Sequence, residues 1–285
     1  MSILSGLGKF GLGNLEEQNL YEKEKEKVVQ ENKPVEVKVP EESDFLYEKK
    51  YVCPVCGEEI STLTVRAGKV HVKKVDTDLR PVYEQVDEIK YDIVACPECG
   101  YATLGRYFNT LTKRQIDDIR NKICMNYKPQ RDQKTIYTYE DAKERYQLAL
   151  ANAIVKNAKA SEKAYLCLKT AWLIRGETER MSADQVADFE AKKKANLEEE
   201  QELLKNALDG FVMARQTEEF PIAGMNTVTL DYLLAALYME TGQYDAASKM
   251  IGGILTSRSA NSHIKDRAYD LKELLAEKKK AANRE

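Results

Sequence analysis

Histidine is nearly absent from this chain: of 285 residues only His71 and His263 carry an imidazole. That scarcity removes His-rich metal centres, and no nucleophile elbow, phosphate loop or zinc-protease signature stands in for them. An enzymatic reading therefore has no recognisable motif to rest on. Long apolar runs are missing as well, and none approaches the roughly 20 residues needed to cross a bilayer. The N-terminus lacks a charged region followed by a continuous apolar stretch, so the expectation is a protein that is not secreted. An excess of one charge sign is also missing. Lys and Arg number 44 against 47 Asp and Glu, and a net charge of −3 supplies no general attraction for nucleic acid.

What the chain does have is a pair of cysteine knuckles. Cys53-Pro54-Val55-Cys56-Gly57 and Cys96-Pro97-Glu98-Cys99-Gly100 are both C-P-x-C-G turns, each aiming two sulfurs at one point. Together, Cys53, Cys56, Cys96 and Cys99 supply the four thiolates of a tetrahedral metal site. Four sulfurs close the coordination sphere and leave no place for water or substrate, so the expected role of the metal is structural. Zn²⁺ is the expected ion, because a structural staple is the commoner use of such a site; iron held as in rubredoxin is the competing reading, since geometry alone does not choose. Zinc ribbons usually separate their pairs by about 15–20 residues. Here 39 residues intervene, enough for further β structure. Cys124 and Cys167 stand alone, and unpaired thiols beside a thiolate site suit a reducing compartment, the cytoplasm.

The organisation read from the pattern has three parts. Residues 1–43 form a flexible tail in which four glycines interrupt a sparse apolar series, followed by a Glu/Lys alternation and Pro34 and Pro40; the tail is a candidate docking segment for a partner. Residues 44–110 form a β-rich, zinc-ribbon-like module. Its expected strands are Thr62–Val65 and Val70–Lys73, joined by a hairpin at Ala67-Gly68, and Ile89–Val94. Residues 111–285 are helical. Thr112 with Gln115 makes a capping box, further helices start near Thr138 and Ser161, the latter stopping at Gly176, and a long one runs from Ser182, with Gln185 three residues on, to Pro221. The fold class is α+β: a small Cys₄ module followed by an all-α array.

Within that array, Leu234, Ala235, Tyr238, Gly242, Tyr244, Ala247, Ile251 and Ile254 follow the pattern of a tetratricopeptide helix pair. A stretched copy fits Ala164 to Pro221, with an insertion near residues 177–196. A final amphipathic helix carrying Ile264, Ala268, Leu271, Leu274 and Leu275 reads as a cap. A generic helical bundle would pack similarly.

Three further features compete for a function. His71 reads as a surface residue rather than a fifth ligand. Residues 44–109 hold nine Lys/Arg and eleven Asp/Glu, a net-acidic module unsuited to phosphate backbones. Locally, however, Arg66, Lys69, Lys73 and Lys74 cluster, and Lys113, Arg114, Arg120, Lys122, Lys128, Arg131 and Lys134 follow, which keeps a nucleic-acid-binding reading open. Asp76 and Asp78 lie close in sequence, as acid–base groups, an ion site or turn residues paired with Arg66 or Lys74.

The order C-P-V-C-G, D-T-D-L-R-P-V-Y, Y-D-I-V-A-C-P-E-C-G-Y-A and A-Y-L-C-L-K-T-A-W-L resembles a bacterial family known as domain of unknown function 2225. The resemblance covers about residues 44–255 and implies the same two-part architecture, with no activity attached. Many members read C-P where this chain has Leu79-Arg80-Pro81, so one cysteine of those members is missing here. The function expected from all this is a non-enzymatic adaptor or scaffold that binds a protein or peptide partner in the groove of its helical array. Nucleic-acid binding and a rubredoxin-like electron carrier are the alternatives.

Overall fold

Each cysteine knuckle is the turn of a β-hairpin. β1 (Leu46–Val52) and β2 (Glu59–Val65) are antiparallel, with Leu46 opposite Val65 and Val52 opposite Glu59 across the first knuckle. β5 (Ile93–Ala95) and β6 (Ala102–Leu104) are joined by the second, with Ala95 opposite Ala102. Between the two hairpins, β3 (Val72–Val75) pairs with β4 (Pro81–Tyr83) around the D-T-D-L-R turn. The computed structural model describes residues 40–130, 134–184 and 186–282. The tail expected over residues 1–43 therefore lies outside the described residues up to residue 39, as does Gln185. Glu41–Glu285 forms one compact unit.

Two strand expectations are corrected. The hairpin at Ala67-Gly68 does not join β2 to β3. The knuckle turn, closed by Cys53 N–H to the Glu58 carbonyl at 2.9 Å, folds β2 back on β1 first, so β3 takes β4 as its partner. The expected strand Ile89–Val94 begins as a 3₁₀ turn over Glu88–Tyr91, because the Asp87 carboxylate caps it by accepting from Ile89 N–H at 3.2 Å. Only Ile93–Ala95 is extended.

The first two helices start where short polar side chains satisfy free N–H groups. α1 (Lys113–Ile119) carries the Thr112/Gln115 capping box and runs into a π turn over Arg120–Cys124. α2 (Tyr139–Val155) is capped the same way by Thr138 and Asp141. α3 (Ala160–Arg180) does not stop at Gly176. That glycine is small because a Cβ there would lie 2.6 Å from Asp87 Oδ2, a packing requirement rather than a helix terminator. α4 (Phe189–Thr217) starts later than Ser182, after Asp188, which sits at φ +53°. The extra length read there as an insertion near residues 177–196 lies within long helices: α3 and α4 run 21 and 29 residues. They pack so closely at Gly210 that an added Cβ there would lie 2.8 Å from Ala164 Cβ, inside contact distance. α5 (Thr227–Glu240) and α6 (Tyr244–Thr256) form the next pair, joined through Gly242 at φ +77°, and α7 (Ser262–Ala282) packs on both.

The β-hairpins and helices share their apolar interior. Ile93, Ala102 and Leu104 from β5 and β6 pack into one core with Tyr146 of α2, Trp172 of α3, Phe211 of α4 and Leu233 of α5. Each fully buried large side chain contributes about 1.5–3 kcal/mol. A second core of Tyr232, Ala236, Ile251 and Leu271 holds α5–α7 together. Among the described residues no helix is long and apolar enough to cross a membrane.

Candidate metal centre

The knuckles close because their glycines take the left-handed region. Gly57 at φ +85° and Gly100 at φ +76° let their N–H groups turn back to the carbonyls of Cys53 (2.9 Å) and Cys96 (3.1 Å). In that tight turn both sulfurs of a knuckle face the same way. The two hairpins then bring the four expected ligands together: all four Sγ atoms lie within 4.8 Å of one another. Across the knuckles, Cys53 and Cys99 are 3.6 Å apart, and so are Cys56 and Cys96. A regular tetrahedron with metal–sulfur distances of about 2.3 Å has edges of about 3.8 Å. The four cysteines are close enough to hold a metal ion, and a soft, four-sulfur donor set fits one.

Burial strengthens the fit. Cys53, Cys96 and Cys99 are buried and Cys56 is exposed, and none is in a disulfide. Packed thiols cannot all ionise side by side. Hydrogen bonds from Cys96, then Cys99, hold Cys53 as a thiolate and pull its pKa down to about 4. Cys99, hydrogen-bonded to Cys53, is pushed far up and keeps its proton. A divalent cation resolves this conflict by replacing protons, which ties metal affinity to pH.

The surroundings contain groups that sequence reasoning missed. Arg120, from the π turn, donates from Nε (2.9 Å) and Nη2 (2.5 Å) to the Val55 carbonyl inside the first knuckle. Asn152 of α2 donates to the Gly100 carbonyl of the second at 2.9 Å, and Gln130 N–H donates to the Pro97 carbonyl at 3.0 Å. These residues lie 31 to 64 positions from the nearest cysteine of the knuckle they contact, brought back only by the fold of the helices, so no local motif marks them. Aromatic rings complete the shell. Phe108 meets Tyr51 edge-on at 5.2 Å and Tyr101 at 5.1 Å, and the Tyr101 hydroxyl donates to the Phe108 carbonyl. The cysteines share this core with Ile119 of α1 and Val155 of α2.

The other candidates separate clearly. His71 is exposed, with its backbone N–H donating to Gln85. Asp76 and Asp78 are ion-paired. Asp76 bonds Arg80 at 2.7 Å and Lys74 at 3.2 Å, and Asp78 bonds Arg175 at 2.9 Å. Arg66, the other partner considered for them, donates to the Leu46 carbonyl. Several cations of the basic cluster are likewise engaged internally: Lys74 with Asp76, Lys134 with Asp141 and Arg120 with Val55. Lys69, Lys73, Lys113, Arg114, Lys122 and Lys128 are exposed.

A family model described as "Uncharacterized protein conserved in bacteria (DUF2225)" matches residues 46–275, from the first residue of β1 into α7. No curated protein and no solved structure matches the chain.

Proposed function

This chain belongs to the bacterial DUF2225 family, and we propose that it works as a non-enzymatic, zinc-stapled interaction protein. The carrying observation is the closed set of four sulfurs, three of them buried in the core shared with α1 and α2. Four thiolates leave a bound ion no open position, so zinc here would supply folding energy rather than chemistry. The partner is a protein or peptide gripped by the stacked pairs α3/α4 and α5/α6 with α7, as helical repeats grip theirs on a concave face. The six free thiols support residence in the cytoplasm.

Two measurements test this. Metal analysis of chain purified without added metal should find close to one zinc per chain. Affinity capture from cell extract, comparing the full chain with one lacking residues 1–43, should recover the same protein with both. Recovery by neither removes the interaction role, and recovery by the full chain alone moves the grip to the tail.

Iron is the second reading, favoured by the aromatic shell of Tyr51, Tyr101 and Phe108, which resembles that of rubredoxin. A red preparation would replace zinc with iron and a scaffold with an electron carrier.

A further inference from the structure

Among the described residues, Arg145 is a cation without an anion. It projects from α2 toward β2, and among the described residues its Nη2 donates to Thr62 Oγ1 at 3.0 Å and to the Ile93 carbonyl at 2.7 Å. Both acceptors are neutral. The guanidinium stacks on the Tyr137 ring at 4.4 Å, and Nε is buried with no hydrogen-bond partner. Among the described residues no carboxylate forms an ion pair with it. Asp141, one turn earlier on the same helix, is already engaged by Lys134 and by the Thr138 N–H at the helix start. Burial accordingly pulls the guanidinium below its usual range. Buried arginines are normally paired, and an unpaired one is costly to keep.

Arg145 also lines a cleft of about 800 Å³ between β2 and α2, bounded at one end by Pro97 and Glu98 of the second knuckle. That volume lies within the range of about 300–1,000 Å³ typical of small-ligand sites. Tyr127 and Tyr137 supply flat apolar walls, while Glu48, Glu58 and Glu144 give the lining a negative charge. Arg145 and Lys134, the latter held by Asp141, are the two cations of a lining that carries six carboxylates, an arrangement that does not suit a dianion such as phosphate. It suits a molecule that carries both signs.

We propose that this cleft binds a small zwitterion of the amino-acid or short-peptide class, with its carboxylate at Arg145 and its ammonium facing Glu58 and Glu144. The site is separate from the helical face assigned to a protein partner, so the two readings stand or fall independently.

The test uses the full metal-loaded chain and titration calorimetry with dialanine, alanyl-lysine and alanyl-tyrosine, their C-terminal amides and inorganic phosphate. Saturable binding of at least one free dipeptide is expected, weakened about tenfold or more in its amide. Arg145→Gln should abolish it. Because that change could disturb folding, Gln147→Trp provides a second variant: Gln147 is exposed on α2 and lines the cleft, so an indole there blocks entry without touching Arg145. Circular dichroism like that of the parent with loss of binding supports the site. Equal binding of the amide, binding of phosphate alone, unchanged binding by Gln147→Trp, or no saturable binding of any dipeptide up to about 10 mM overturns it.

Discussion

Trp172 Nε1 donates to Asp78 Oδ2 at 2.9 Å, tying the only indole in the chain to a carboxylate with no exposed surface. The same carboxylate takes Arg175, which reaches on to Glu200 of α4 at 2.6 Å. Alongside, the nearly buried Arg80 holds Asp76 at 2.7 Å and Glu179 of α3 at 2.6 Å. Arg267 of α7 closes the group from the far side by donating to the Asp76 carbonyl at 2.8 Å. The β3–β4 turn is thereby fastened to α3 and α7, and through Arg175 to α4. Leu79 takes φ +70° within that turn while packing against both helical cores. Asp76 and Asp78 thus serve as anchors of the turn.

Removing the Asp78 carboxylate leaves Arg175 and the Trp172 N–H without their shared acceptor in a dry site. Breaking one side of such a buried pair costs about 3–5 kcal/mol. Asp78→Ala should therefore lose stability of that order in urea unfolding, followed by the fluorescence of Trp172, and the folded-state emission should shift as the indole loses its acceptor. A loss under about 1 kcal/mol, the level of an exposed pair, would mean that Arg175 re-pairs with Glu200 alone.

The neighbouring Asp76 gives a pH signature. Burial alone would raise its pKa, but the hydrogen bonds and charges of Arg80 and Lys74 outweigh it and hold the carboxyl below the ordinary 3.8. A depressed carboxyl contributes stability that is fully present above the unfolded value and lost as pH falls through the folded one. Asp76→Asn should then unfold at lower urea than the parent at pH 7, and the gap should close as pH drops below 3.8. A gap that persists into strong acid would assign the effect to the hydrogen bonds of the side chain rather than to its charge.

Some of this architecture is legible in the residues, for identifiable reasons. The knuckles are readable because a C-P-x-C-G turn has few other uses, and the starts of α1 and α2 because Thr112 and Thr138 have partners three residues on. Gly242 marks the α5–α6 turn because a left-handed residue is needed there. What is hidden depends on distance in sequence. Ala67-Gly68 looks like a hairpin turn until the first knuckle has already given β2 its partner. Gly176 looks like a helix stop until Asp87, 89 positions earlier, is packed against it. Arg120, Asn152 and Arg145 belong to no motif, and only the approach of α1 and α2 to the hairpins gives them their roles.

The two knuckle glycines should differ in sensitivity, although both have positive φ. At Gly57 an added Cβ meets nothing within 4 Å, so Gly57→Ala costs only the left-handed strain of about 1–2 kcal/mol. At Gly100 the Cβ would lie 2.5 Å from Tyr127 Cδ2, and the ring must move as well. Gly100→Ala should lower the melting temperature further than Gly57→Ala and weaken metal retention against a chelator. Equal effects would show that Tyr127 swings aside freely.

Metal removal tests how far the staple's influence extends. The cysteines share a core with Tyr101, Phe108, Ile119 and Val155, so chelation should loosen β1–β2, β5–β6 and the packing of α1. The core of α5–α7, built from Tyr232, Ile251 and Leu271, includes none of the cysteines. Loss of several kcal/mol of binding energy should lower the melting temperature by about 10 °C or more in a chain of this size. Most of the far-UV helical signal should survive at room temperature, while proteolysis at the hairpins accelerates. Acid should act like the chelator, because protons compete with the metal for the thiolates. Cys96→Ser should reproduce the metal-free state and resist rescue by added zinc. Collapse of the whole helical signal on chelation would instead show that Ile93, Ala102 and Leu104 couple the hairpins to α2 and α3 so tightly that everything from β1 to α7 unfolds together.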